Sequence, residues 1–399
     1  MMRLNRVLLI CQDDLETLPY HRVYPLIDAL KQKADRVDIL FYDRCYDKEV
    51  SGAWNKLKEG IADFFHKPRI KVRAEGNLSW IGIRRLPLDG ILSTLLQDPW
   101  IYNQFRKQNP AYYDLVISEA PGPSRVARKL KDKGHACYFL YDDTDYFPGF
   151  AHGLRSLAIK EQEICGVLDA DAVICVSQRL EALRKKQGGR NIHYIPNGVT
   201  LSLYQKAQNL NQPHPFTLIY AGSLEKWAGM QIAIKGVKGI LPAIPDLKLI
   251  IIGDGPYLEE LKKLGDSEGV SNHLKFTGRL PATELPPWFQ QADAGLILSE
   301  PGPLWEYACP LKLFQYMAAG LPVIATNVGE LKDLVEKFDA GITVPYDAAS
   351  FSKAVLELKE NPDKLALYQS HGQSQAASFD WHALMLEYLE IIDNLISKE

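Results

Sequence analysis

Two doubly wound α/β domains, each a parallel sheet flanked by helices, are what this sequence predicts, and three observations predict them. Short apolar runs alternate with helix-length amphipathic segments along all 399 residues. The runs are rich in Val, Ile and Leu and lack polar alternation, which marks strands buried on both faces of a parallel sheet. The length exceeds one domain at roughly 150 residues apiece and suits two of about 180–200.

The elements follow in order. In the first half, strands are expected at residues 6–11, 37–42, 114–118, 136–141, 172–176 and 193–195. In the second half they are expected at 217–221, 247–252, 274–277, 294–298, 322–325 and 342–344. Ile195-Pro196-Asn197-Gly198-Val199 carries strong turn chemistry, and the polar stretch 205–215 reads as linker. The expected division is therefore 1–198, 199–378 and a terminal helix, 379–399, capped by Asp380 and packing back toward the first domain. Residues 48–112 break the alternation with basic residues (Lys56, Lys58, Arg69, Arg84, Arg85) among aromatics (Trp54, Phe64, Trp80, Trp100). Such a stretch is either a peripheral contact with an anionic membrane or an excursion packed on the first domain.

Composition excludes several classes. With 46% hydrophobic and 24% charged residues the chain is neither disordered nor fibrous. No apolar run approaches the ~20 residues of a membrane span. The first apolar run, 7–11, ends at Asp13 and Asp14, short of the ~7–15 residues of an export signal, and reads as a strand. Six cysteines without a C-x-x-C pair suit reduced thiols in a cytoplasmic protein, and no Cys/His spacing suits zinc. The net charge of −3 divides into +5 over residues 1–200 and −8 over 201–399. A basic first half suits an anionic acceptor or membrane surface, or is simply a solvated face; no nucleic-acid partner is expected.

Ligands of open parallel sheets bind beyond the carboxyl ends of the strands, so two facing sheets make a cleft lined by strand-to-helix turns. Gly253-Asp254-Gly255-Pro256 is one such turn, suited to close backbone approach or simply to a tight turn. It lacks the full G-x-G-x-x-G, because residue 258 is Leu, which argues against a nicotinamide dinucleotide and a dehydrogenase. Around Gly222, Ser223 and Lys226 a second turn offers amides, a hydroxyl and a point charge to phosphate, unless Lys226 only faces solvent. Residues 310–326 predict a helix from Pro310 to Gly320 leading into a strand. Its free N-terminal amides suit a diphosphate, and Lys312 and Gln315, three apart, share a face.

Together these segments resemble a family 4-type glycosyltransferase of GT-B architecture, in which two Rossmann-like domains face each other. The resemblance rests on Ile195 to Val199, Gly253 to Pro256, Phe276-Thr277-Gly278-Arg279-Leu280, Ala292-Asp293 and Pro310 to Thr326, in the family's order. It implies transfer of a sugar from a UDP- or GDP-sugar to a hydroxyl of a glycan or lipid-linked acceptor, in cell-surface polysaccharide synthesis, with retention favoured and no metal or other cofactor. The donor would meet Gly222, Ser223, Lys226, Gly255, Leu311 and Lys312, with Arg279 and Leu280 beside the base and Gln315 beside the ribose. The family's two glutamates are replaced here by Tyr307 and Gln315, which leaves room for a protein that binds nucleotide-sugar without turnover.

The first domain must supply the acceptor site and any base. Asp142, Asp143 and Asp145, followed by His152, stand just after an apolar strand and resemble a Tyr-Asp-x-x-Asp pattern of some bacterial polysaccharide glycosyltransferases. An aspartate here deprotonates the acceptor if configuration inverts, or orients substrate if it is retained; the acids equally could cap the next helix. A metal bound to the cluster is the remaining reading. Asp13, His21 and Arg22 follow the first strand and Glu119 ends the third, all at acceptor-side positions.

Overall fold

The computed structural model describes residues 3–12, 15, 22–43, 58, 61–62, 64–66, 68–88, 90–205 and 214–397. The chain forms two compact units, one of Met1–Ile195 with Met385–Glu399, the other of Pro196–Leu384.

The first unit contains β1 (Leu4–Cys11), β2 (Ala34–Asp43), β3 (Ile70–Glu75), β4 (Leu78–Arg84), β5 (Tyr113–Glu119), β6 (Ala136–Asp143), β7 (Ala172–Cys175) and β8 (Ile192–Tyr194). They form one sheet in the order β3-β4-β2-β1-β5-β6-β7-β8. All neighbours are parallel except β3, which runs antiparallel to β4 at the edge. Val7, Leu8, Leu9 and Ile10 of β1 are buried consecutively, as a central parallel strand covered on both faces requires. The flanking helix Pro121–Asp132 buries Val126, Ala127 and Leu130, so helical periodicity meets the sheet with one apolar stripe.

The β3–β4 hairpin departs from the sequence expectation, which left residues 48–112 without strands. Gly76, at φ +60°, turns the chain, and the exposed Lys71, Arg73 and Glu75 give the edge strand a charged outer face that discourages further pairing. Several of the basic residues of this stretch are structural. Arg84 is buried and paired with Asp43 at 3.3 Å, and Arg69 lies over the rings of Phe64 and Trp100.

The second unit contains β9 (Thr217–Ala221), β10 (Lys248–Ile252), β11 (Leu274–Gly278), β12 (Ala294–Ile297), β13 (Val323–Thr326) and β14 (Gly341–Val344). Its sheet is parallel throughout, in the order β11-β10-β9-β12-β13-β14. Leu218, Ile234, Val237, Leu249, Leu296 and Phe351 belong to its core, between sheet and helices. In both sheets the strand order reverses once, at β1/β5 and at β9/β12, and the carboxyl ends of those strands flank a crevice. The last helix, Trp381–Ile396, starts at Asp380, whose carboxylate accepts from the His382 amide at 2.8 Å.

Candidate active site

On the second unit the crevice lies between the loops that leave β9 and β12. The Glu300 amide donates to the Trp227 carbonyl at 2.8 Å and the Trp227 and Trp305 rings lie 5.0 Å apart, which ties the two loops together. The Tyr220 hydroxyl donates to the Ser223 carbonyl at 2.7 Å and shapes the turn at Gly222. Gly253 stands at φ +144°, and a Cβ there would lie 1.8 Å from the Gly222 carbonyl; one on Gly255 would lie 2.4 Å from that of Leu224. Both glycines are thus required by backbone packing between two loops. Gly255 meets a neighbouring turn and not open space, which is the tight-turn alternative of the sequence reading.

Lys312 is the informative side chain of this crevice. It occupies the second position of the helix Leu311–Ala318, whose first turn contains no acid and whose Pro310 cap offers no side-chain acceptor. Its ammonium lies 4.2 Å from the centroid of the Tyr220 ring, and a Cβ on Gly222 would come within 2.8 Å of it. Among the described residues no carboxylate pairs with it. Desolvation alone pulls its pKa down to about 8. A half-buried cation held at the positive end of a helix dipole, partly desolvated and without a counter-ion among the described residues, is an incomplete anion site. Leu311 and Gln315 are half-buried on the same helix; Ser223, Lys226 and Arg279 are exposed, and Leu280 is half-buried just past β11.

On the first unit a cavity of about 350 Å³ opens at the β1/β5 reversal. Gln12 after β1, Glu119 at the end of β5, Gly122 at the start of a helix, and Thr144 and Asp145 after β6 form its strand-end side. The helix Gly90–Gln108 contributes Thr94, Gln97 and Asp98, the helix Gly153–Asp169 contributes Arg155 and Gln162, and Tyr42, Phe147 and Phe150 supply aromatic walls. Glu119 and Asp145 therefore meet in one pocket.

Asp142 and Asp143 do not join them. Asp143 is fully buried, held by Arg184 at 2.7 and 3.2 Å, and Arg184 also pairs with Glu163 at 2.8 Å. With no face open to an acceptor, Asp143 is a structural ion, which corrects its reading as a candidate base. Asp142 is likewise buried, paired with Arg22 at 3.1 Å, and its pKa is raised by burial. Arg22 also donates to the Ile195 carbonyl at 2.9 Å, so it is an internal tie and not an exposed acceptor contact. His152 is exposed and precedes the helix Gly153–Asp169 without a capping bond from its side chain. Asp13 and His21 lie outside the described residues.

Sequence reasoning missed Gln97 and Asp98, which sit mid-helix beside Pro99 in the stretch left without elements. A polar pair flanked by Leu95, Leu96 and Trp100 was the available signal. Among the described residues no group of three His, Cys, Asp or Glu could hold a metal ion, and no helix is long and apolar enough to cross a membrane.

Comparison with known proteins bears on this geometry. Residues 204–375, within the second unit, match the family model of glycosyl transferases group 1. Glycogen synthase of Mycobacterium tuberculosis is 25% identical over 241 residues, 59% of this chain and 57% of that protein, so the match spans little more than half of that relative. Sucrose-phosphate synthase from Thermosynechococcus elongatus superposes with a TM-score of 0.76 at 18% identity over 99% of this chain and 100% of the other. Anabaena HepE in complex with UDP-glucose gives a TM-score of 0.69 at 20% identity, covering 98% and 99%. These two likenesses are ones of fold, and both neighbours have the GT-B architecture that the motifs imply. Residues 204–375, under half of the chain, are thus similar to the group 1 glycosyl transferases.

Proposed function

We propose that this protein is a nucleotide-sugar-dependent glycosyltransferase, and the observation that carries the proposal is the unneutralised Lys312 at a helix N-terminus. The donor diphosphate sits on Lys312 and the first amides of Leu311–Ala318, with Ser223 and Lys226 beside it. Arg279 and Leu280 flank the base, and Gln315 reaches the ribose. Negative charge on the leaving diphosphate grows as the glycosidic bond breaks, so these contacts strengthen toward the transition state without needing a metal. The acceptor hydroxyl enters the first-unit pocket, where Glu119 and Asp145 orient it. Configuration is retained, and the product belongs to a cell-surface polysaccharide or its lipid-linked precursor. UDP-glucose in the Anabaena neighbour supports a uridine donor.

A thermal-shift panel of UDP, GDP, ADP, NAD and sugar nucleotides tests this reading. A ligand at 100 times its Kd stabilises the fold by about 2.7 kcal/mol, or roughly 5–11 °C for a unit of this size. One nucleoside diphosphate is expected to do so; silence from all of them, or a response to NAD alone, would defeat the proposal. The anomeric configuration of the product, read by NMR, then decides retention.

Placement follows from the same reading: the enzyme is cytoplasmic and meets the anionic inner face of the membrane through residues 48–112. Phe65, Val72, Leu92, Leu95 and Leu96 of that stretch are exposed and support it. Co-sedimentation with phosphatidylglycerol vesicles should fall at least fivefold in Leu92→Ser/Leu95→Ser/Leu96→Ser. Binding unchanged in that variant would remove the membrane contact.

A further inference from the structure

The first-unit pocket contains a buried donor that the protein itself does not satisfy. Gln97 is buried, and its Oε1 accepts from the Leu86 amide at 3.1 Å, which fixes the orientation of its side-chain amide. The two protons on Nε2 have no partner. An unmade bond of a buried amide costs about 1–3 kcal/mol, so a ligand acceptor placed there recovers free energy that the empty pocket lacks.

Asp98 is adjacent. Its Oδ1 accepts from the Tyr42 hydroxyl at 3.2 Å and its Oδ2 faces Arg125 at 3.4 Å, both long contacts that leave lone pairs available. A Cβ on Gly122 would lie 2.9 Å from Asp98 Oδ1, so the bare backbone of Gly122 makes room for this carboxylate on the pocket wall.

Charge decides the kind of ligand. Among the described residues Asp98, Glu119 and Asp145 line the pocket against Arg85 and Arg155, and Arg125 faces Asp98 at 3.4 Å, so guanidinium groups do not outnumber carboxylates there. A phosphate, pyrophosphate or uronate would find no excess of positive charge among these groups, whereas an uncharged polyol meets donors and acceptors it can pair one by one. The aromatic walls of Tyr42, Phe147 and Phe150 suit the apolar face of a pyranose ring, and about 350 Å³ is at the small end of ligand pockets, roughly 300–1,000 Å³.

We infer that Gln97 and Asp98 select the acceptor: the pocket takes an uncharged hexopyranose unit, with Gln97 Nε2 donating to one ring hydroxyl and Asp98 accepting from a neighbour. The inference rests on the glycosyltransferase reading and assigns these two residues specificity, not chemistry.

Saturation-transfer NMR on the full chain with methyl glucoside, galactoside and mannoside, against methyl glucuronide and inorganic pyrophosphate, tests it. At least one neutral pyranoside should receive saturation at millimolar concentration and lose at least four-fifths of the effect in Gln97→Leu. Gln97→Leu removes the unpaired donor but also the acceptor of the Leu86 amide, two opposing effects, so its thermal transition should stay within about 4 °C of wild type; a larger drop would mark a residue needed for the fold. Phe150→Ser, at a half-exposed ring that folding does not need, guards against a Gln97 variant that misfolds and should weaken the same signal. Preference for pyrophosphate or glucuronide, or pyranoside signals equal in wild type and both variants, would overturn the inference. If UDP still stabilises the chain while every pyranoside fails, acceptor selection falls and the transferase reading stands; if UDP fails as well, both fall.

Discussion

Arg184→Met is expected to lower the thermal transition of the first unit by roughly 6–20 °C. The guanidinium is completely buried between two carboxylates that are themselves completely buried, Asp143 and Glu163. Removing one member of a buried ionic group leaves its partners uncompensated, which costs about 3–5 kcal/mol, and 1 kcal/mol moves the transition of a unit this size by about 2–4 °C. The loss depends on pH in a definite direction. Burial already raises Glu163 to about 7 with Arg184 present, so between its ordinary 4.5 and that value the native state holds more protons than the unfolded one. Stability therefore falls as pH rises through that window. Without Arg184 the Glu163 carboxyl takes a proton more readily, and the deficit of the variant should be smaller at pH 5 than at pH 8. A triple variant, Asp143→Asn, Glu163→Gln, Arg184→Met, should regain much of the loss. A triple variant as unstable as the single one would mean that packing around Arg184, and not unpaired charge, sustains this region.

The same group explains why the acidic segment reads differently in sequence and in space. Glu163 accepts from the Phe147 amide at 3.2 Å, so the ion group anchors the turn Phe147–Phe150 that walls the first-unit pocket. Asp143 works from beneath the pocket, while Asp145, two residues on, lines it. A disturbed ion group would therefore reach the pocket through that turn.

What the sequence disclosed follows how local the physics is. All twelve expected strands are present, within three residues at each end, because a strand buried on both faces needs a continuous apolar run and nothing else in the chain resembles one. The helix over Leu311–Ala318 was legible for a similar reason: Pro310, the periodic Leu313, Phe314 and Met317, and Gly320 are consecutive features of one segment. The β3–β4 hairpin was overlooked although Gly76-Asn77 marks its turn, since the alternating charges of β3 describe an exposed edge and not a core strand. The acidic cluster could not be sorted from sequence at all. Asp142 meets Arg22 across 120 positions and Asp143 meets Arg184 across 41, and nothing local announces either partner. Gln97 and Asp98 were hidden in the same way, because their burial depends on helices and strands that converge only in the folded unit.

Lys312→Met should do two opposite things: stabilise the free protein and weaken nucleoside diphosphate binding by roughly 10- to 150-fold. The second effect is the worth of a charge-assisted contact, about 1.5–3 kcal/mol. The first follows from the empty site. Desolvation brings the ammonium from 10.5 to about 8, so the native state disfavours the charged form by at most about 3 kcal/mol, and methionine carries no such penalty. The sign can be followed by titration. Below pH 8 the lysine is charged in native and unfolded states and the penalty is complete; between 8 and 10.5 the native state releases its proton first, and stability rises with pH. The advantage of Lys312→Met in the absence of ligand should accordingly be full at pH 7 and vanish near pH 10.5. Diphosphate supplies the missing counter-charge and raises the lysine pKa, so binding in this range takes up a proton. Wild-type affinity for the nucleoside diphosphate should then fall as pH climbs above 8, approaching tenfold per unit, while the weak residual affinity of Lys312→Met stays flat. Calorimetry in buffers of different ionisation enthalpy would count that proton directly. A variant that loses stability, or binds the diphosphate as tightly as wild type, would show that Lys312 serves the fold and not the donor. A variant that gains stability as it loses ligand has a simpler explanation: the fold holds an uncompensated cation at a helix terminus, and the donor's phosphates complete it.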